Sequence, residues 1–145
     1  MTASACRRSL AAGAAAVTVV TGAVTVVDRD GAAARALARR KAALYLPVIA
    51  RLDGTLRIEP DRLRRIREAT AVYDFDRAAR EVPDDLLRKV AFAGTPEEVA
   101  EQAEALFAAG VGRVEFGTPH GLSEEEGIRL LGEAVLPALR RTRHG

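Results

Sequence analysis

One cysteine, Cys6, two histidines, two lysines and no tryptophan occur in this chain of 145 residues, and aromatics make up only 4% of it. A lone cysteine excludes an intramolecular disulfide and leaves no Cys–His cluster for structural zinc. His120 and His144 lie too far apart to read as a metal motif, so no metal is expected. The charge is nearly balanced, with 22 Lys and Arg against 20 Asp and Glu; the net +2 does not suggest a nucleic-acid binder. Gly110-x-Gly112 follows a helical pattern instead of a strand, which excludes a dinucleotide-binding turn. Walker loop, nucleophile elbow and His-Glu-x-x-His are all missing, and no carboxylate pair stands in an apolar setting that would raise its pKa. With 48% hydrophobic and 29% charged residues, the chain reads as one soluble domain in a reducing, cytoplasmic setting.

An uncharged run, Leu10–Val27, follows Arg7-Arg8. The pattern resembles a secretory or twin-arginine signal, and its length is at the threshold for a membrane span. The run is built of Ala, Gly, Thr and Val, whose transfer into lipid is weakly favourable. A helix end over Ser4–Ala16 followed by a buried parallel strand over Val17–Val27 is the better reading, and no membrane partner is expected.

Asp28–Gly31 turns the chain into a long helix over Ala32–Ile49, with Pro47 bending its last turn. Pro60 opens an arginine-rich helix, Asp61–Val72. Arg62, Arg64, Arg65 and Arg67 there read either as an anion patch or, better, as a solvated face around Leu63 and Ile66. Short helical pieces follow over Tyr73–Glu81 and Pro83–Val90.

Ala91–Pro137 carries the clearest punctuation. After a loop, Thr95 and Glu98 form a capping box with Pro96 at the first helical position. Val99, Ala103, Leu106 and Phe107 make one apolar stripe, and Gly110 ends the helix. Arg113–Gly117 is a short strand. Ser123 and Glu126 form a second capping box, Ile128, Leu131 and Val135 make the buried stripe, and Pro137 kinks or ends the helix. Between strand and helix lies the loop Gly117-Thr118-Pro119-His120-Gly121. It reads as a plain tight turn or as a ligand site, since such loops hold chemistry in α/β units. Glu124, Glu125 and Glu126 argue against phosphate bound directly at the following helix start.

Phe92–Val99, Ala109-Gly110-Val111 and Val114–Gly117 resemble the C-terminal region of luciferase-like flavin or deazaflavin oxidoreductases, which are (β/α)8 barrels. The run Phe116–Gly121, with Gly127–Gly132 and Val135-Leu136-Pro137, is similar to the branch of 5,10-methylenetetrahydromethanopterin reductases that use coenzyme F-420. Val17–Val27 then resembles the seventh barrel strand and Val114–Gly117 the eighth. The short Gly-Arg-Asp turn that usually precedes strand seven is missing.

The resemblance implies an α/β fold, the C-terminal part of a luciferase-like TIM barrel, with about two parallel strands and several helices. Residues 1–145 then form a single partial domain. It implies hydride transfer between coenzyme F-420, or alternatively FMN, and a C1-carrying pterin. Thr118 and His120 are the cofactor-binding candidates at the barrel rim, and no catalytic acid or base carries over. Strand edges left open imply the missing N-terminal half, or a second copy, as partner beside the small molecules. The other readings are a non-catalytic remnant or interaction subunit, an FMN-dependent luciferase-like monooxygenase, and an exported domain.

Overall fold

The structure, a computed structural model, describes residues 18–143. The readings placed on Cys6, Arg7-Arg8, Ser4–Ala16 and His144 lie outside the described residues. The elements run in the order β1 (Val20–Val27), α1 (Gly31–Leu52), α2 (Pro60–Ala71), α3 (Phe75–Arg80), α4 (Asp84–Val90), β2 (Ala91–Gly94), α5 (Pro96–Ala108), β3 (Arg113–His120), α6 (Glu124–Leu130), a π-helical turn (Leu131–Val135) and α7 (Leu136–Arg143).

The two strands expected from sequence pair directly and in parallel, Val20 opposite Arg113 and Ala23 opposite Phe116. A third strand, β2, pairs in parallel with the other edge of β1, Val24 opposite Ala91 and Val27 opposite Gly94. From its sequence Ala91–Gly94 reads as loop, and the structure makes it a strand. The sheet order is β2-β1-β3, so β1 has a neighbour on each edge.

The connection from β1 to β2 runs one way along the sheet and that from β2 to β3 runs back across β1, and right-handed crossovers of opposite direction lie on opposite faces. Two apolar layers follow. Val24 and Val26 of β1, with Ala91 and Ala93 of β2, pack under α1, α2 and α4. Ala23 and Val27, with Phe92, Val114 and Phe116, pack under α5, the π-helical turn and α7. The α/β class, the parallel pairing and the several helices are those of part of a luciferase-like barrel. Helices on both faces are a further feature, since a barrel carries its helices outside only.

Alanine sets the first layer. Asp30 caps α1 by accepting from the amides of Ala32 and Ala33 at 3.1 Å each. Ala34, Ala38, Ala42 and Leu46 then recur every fourth residue on its buried face. Such small side chains let the helix axis lie close to the sheet. The helix continues through Pro47 to Leu52, one turn beyond the sequence reading. In the second layer the rings of Phe92 and Phe116 meet edge to face, with centroids 5.3 Å apart. They stand on the two outer strands, and Ala23 on β1 between them leaves room for the contact.

The α5 capping box is present. The Thr95 amide donates to Glu98 Oε2 at 2.8 Å, and the Glu98 amide donates to Thr95 Oγ1 at 3.4 Å. Glu98 Oε2 also lies 2.7 Å from Arg35 Nη1 of α1, so the cap ties the two helical layers together. Thr95→Ala is expected to cost about 1 kcal/mol, measured as a lower midpoint in urea with an unchanged slope.

Two helix readings are corrected. Ser123 Oγ accepts from the Glu126 amide at 3.2 Å, but the box does not close. Arg129 Nε holds Glu126 Oε2 at 2.8 Å and draws it along the helix. That pairing keeps the Glu126 carboxyl below its ordinary pKa. Pro137, for its part, does not end the helix. The π-helical turn precedes it, with the Leu136 amide bonded back to Leu131 O, and this wider turn carries the helix past the ring.

Of the α2 arginines, Arg64 and Arg67 are exposed, while Arg62 and Arg65 are half-buried. Arg64 pairs with Asp61 at 3.2 Å and Glu68 at 3.1 Å, and Arg65 pairs with Glu81 at 3.0 Å. Among the described residues no helix is long and apolar enough to cross a membrane.

Candidate functional site

The segment Gly117–His120 is strand, not loop: β3 runs through His120, and only the residues after it turn. The pairing with β1 is irregular here, with a register shift opposite Val24–Val26, and the Thr118–Pro119 peptide is cis. Gly117 is needed at this point. A Cβ on it would lie 2.8 Å from the carbonyl oxygen of Ala23 on β1.

Thr118 and His120 go to different places. Thr118 and Pro119 line a cleft of about 440 Å³ that opens between the end of β3 and the side of α1. Val24 floors it; Leu37, Lys41 and Tyr45 of α1 and Phe75 of α3 form the other walls. Arg40, also on the wall, pairs with Asp76 at 3.1 Å. Lys41 is exposed. The cleft therefore joins apolar and aromatic walls to two cations and the hydroxyls of Thr118 and Tyr45. It lies between β1 and β3, where the strand order β2-β1-β3 reverses along the parallel sheet. Open α/β sheets place ligands at the carboxyl ends of strands flanking such a reversal.

His120 is not part of this wall. Its Nε2 lies 3.2 Å from the carbonyl oxygen of Phe116. A carbonyl can only accept, so Nε2 carries the proton in that bond. Nδ1 is buried without a hydrogen bond, 3.7 Å from Glu124 Oε1 at the start of α6. His120 also has a left-handed backbone, φ 74°. The imidazole therefore ties the bend at the end of β3 to the strand's own backbone and faces α6. Sequence reasoning missed Lys41, Tyr45 and Phe75. Their link to Thr118 depends on α1 and α3 lying on the same face of the sheet, which no local pattern announces.

The sequence profile of the luciferase-like monooxygenase family matches residues 2–113. The chain belongs to that family. The match ends at the first residue of β3, before Thr118. Curated relatives extend the likeness. The 5,10-methylenetetrahydromethanopterin reductase of Methanopyrus kandleri is 35% identical over 80 residues, 55% of this chain and 23% of that protein. The reductase of the same name from Archaeoglobus fulgidus is 30% identical over 122 residues, 79% of this chain and 36% of that protein. Among solved structures, the coenzyme F-420 dependent tetrahydromethanopterin reductase from Methanopyrus kandleri superposes with a TM-score of 0.71 and 27% identity. That superposition covers 84% of this luciferase-like chain and 35% of the reductase. This family member thus spans from 23% to 36% of the length of the relatives it matches.

Proposed function

We propose that this luciferase-like chain is the C-terminal part of a coenzyme F-420-dependent oxidoreductase that moves hydride to or from a C1-carrying pterin such as methylenetetrahydromethanopterin. The observation that carries this reading is the likeness to reductases of that name together with a cleft at the strand reversal. Residues 1–145 form a partial domain in it, and the polypeptide bearing the remaining barrel strands is its partner, in the cytoplasm.

The cleft suits such a cofactor. Tyr45, Phe75 and Leu37 offer flat and apolar surface for a ring system, and Lys41 and Arg40 offer cations for an acidic tail. Bound coenzyme F-420 supplies the hydride chemistry itself. The chain's own groups orient and exclude. Thr118 Oγ1 hydrogen-bonds one polar edge of the ligand, and Pro119 closes the wall against water. His120 acts through Phe116 as a positioning residue for Thr118 rather than as a contact. FMN is the alternative ligand, and Lys41 serves a phosphate equally well.

The test is a titration of coenzyme F-420, followed by its fluorescence, into the chain alone and into the chain mixed with the N-terminal remainder of the Archaeoglobus fulgidus relative. Binding is expected in the mixture, with Thr118→Val weakening it roughly tenfold through the lost hydroxyl. No binding in the mixture rejects the proposal, and tighter binding of FMN rejects its choice of cofactor. A second reading, a non-catalytic remnant or interaction subunit, is favoured by one observation. Both faces of the sheet are already covered by the chain's own helices. A cooperative, monomeric melt with no ligand bound in any mixture is the result that reading requires.

A further inference from the structure

The contact between the end of β3 and the start of α6 holds a polar atom that no hydrogen bond satisfies. The His120 side chain is 19% exposed. Its Nε2 donates to the Phe116 carbonyl at 3.2 Å, which sets the neutral ring as the Nε2–H tautomer. In that tautomer Nδ1 carries only a lone pair. It is buried without a hydrogen bond and lies 3.7 Å from Glu124 Oε1. Two acceptors then face each other, and neither can donate. A proton on Nδ1 turns the same two atoms into a donor and an acceptor of opposite charge.

The backbone around the ring has little room to yield. His120 has a left-handed φ of 74°, and a Cβ on Gly127 would lie 2.6 Å from its carbonyl oxygen. The Glu124 side chain is exposed and can move. The other charged groups near this contact are engaged elsewhere or exposed. On α6, Glu126 is held by Arg129 at 2.8 Å, and Glu125 is exposed. In the turn after β1, Asp28 accepts from the Asp30 amide at 2.9 Å, and Arg29 stands near Glu97 and Glu126. β1 sets Val26 opposite His120, and α5 turns Val99, Ala100 and Ala103 inward. Glu124 is therefore the carboxylate that answers a proton on this ring.

We propose that His120 and Glu124 form a proton-operated clasp between β3 and α6. The clasp is open while the imidazole is neutral. Uptake of a proton at Nδ1 closes it through an Nδ1–H to Oε1 hydrogen bond, so acid closes the clasp and base releases it. The strand end that it steadies carries Thr118 and Pro119, which line the cleft. The inference stands on this contact alone and holds whatever the cleft binds.

The test is nitrogen-15 NMR of the full chain between about pH 8 and pH 5, the span in which an imidazole changes charge. His144→Gln leaves His120 as the one ring to follow. At the basic end the ring is expected to carry its proton on Nε2 and none on Nδ1. Toward the acid end Nδ1 gains its proton, and the amides of Thr118, Glu125 and Glu126 shift with the same midpoint. In Glu124→Ala the ring still titrates, but those amide shifts should lose most of their amplitude. Glu124→Gln donates its carboxamide to the bare Nδ1 and accepts from the charged ring, so it should hold the clasp closed throughout, with flat amide shifts. Glu124 is exposed, so neither variant removes core packing. An Nδ1–H tautomer at the basic end overturns the proposal. So do amides that fail to follow the ring in the native chain, or an undiminished amide response in Glu124→Ala.

Discussion

Gly127→Ala is expected to destabilise the fold by about 3 kcal/mol and to lower its melting temperature by roughly 10 °C. A Cβ at Gly127 would lie 2.4 Å from the Gly121 nitrogen, 2.4 Å from the His120 carbonyl carbon and 2.6 Å from the His120 oxygen. All three are backbone atoms, so no side chain can swing away. The contact is mutual: a Cβ on Gly121 would lie 2.7 Å from the Gly127 Cα. This is where α6 presses against the end of β3. The seven-residue helix has no other means of approaching so closely. Relief requires α6 to move outward and to take the residues around His120 with it. Gly132→Ala is the control. Nothing lies within 4 Å of its built Cβ, and the melt should stay the same or rise slightly. Equal behaviour of the two variants in thermal and urea unfolding would reject the close-contact account.

Leu46→Ala should cost a similar amount, about 3 kcal/mol. Leu46 is fully buried under α1, in a layer whose other α1 contributors are Ala34, Ala38, Ala42 and Ala43. The other large buried side chains of the layer, Leu56, Ile66 of α2 and Leu86 and Leu87 of α4, come from outside α1. Alanines bring the helix close but fill little volume, and their short side chains cannot reach into a void. A hole left by Leu46 therefore remains open, and cost rises with residual cavity volume. Leu52→Ala, six residues on in the same helix, removes a side chain that is 81% exposed and should leave the urea midpoint nearly unchanged. A loss below 1 kcal/mol at Leu46 would show that the layer collapses around the gap.

Local chemistry made part of this fold legible. Thr95, Pro96 and Glu98 mark the start of α5 in three residues, and Gly110 takes a left-handed φ of 96° just past its end. β1 announced itself by valine and threonine. β2 did not, because Ala-Phe-Ala-Gly carries no β-branched residue and becomes a strand through the edge of β1 and the amide of Gln102. Glycine and proline at 117 and 119 read as loop, yet β3 holds its course through them. An edge strand tolerates a proline whose missing amide is not needed by the ladder. At the candidate site Thr118, read from sequence as a loop residue after a strand, lies within β3 and lines the cleft. Lys41, Tyr45 and Phe75 were not legible, because three-dimensional layering alone puts them opposite it. The position of His120 likewise depended on Glu124 and on a backbone turn, neither of which a residue type foretells.

The sheet order also decides when the molecule can become itself during synthesis. β1 is the central strand, yet its partner in β3 emerges from the ribosome roughly ninety residues later, and β2 only shortly before. Helices α1 to α4 are complete before either edge of β1 is paired. Pairing over such separations is slow compared with local helix formation. Among the described elements, one helical layer is thus made on a single valine-rich strand before either of its partners in this sheet. The strands made last are the ones that pair with it, so chaperone contact is expected to concentrate on chains arrested between α4 and β3.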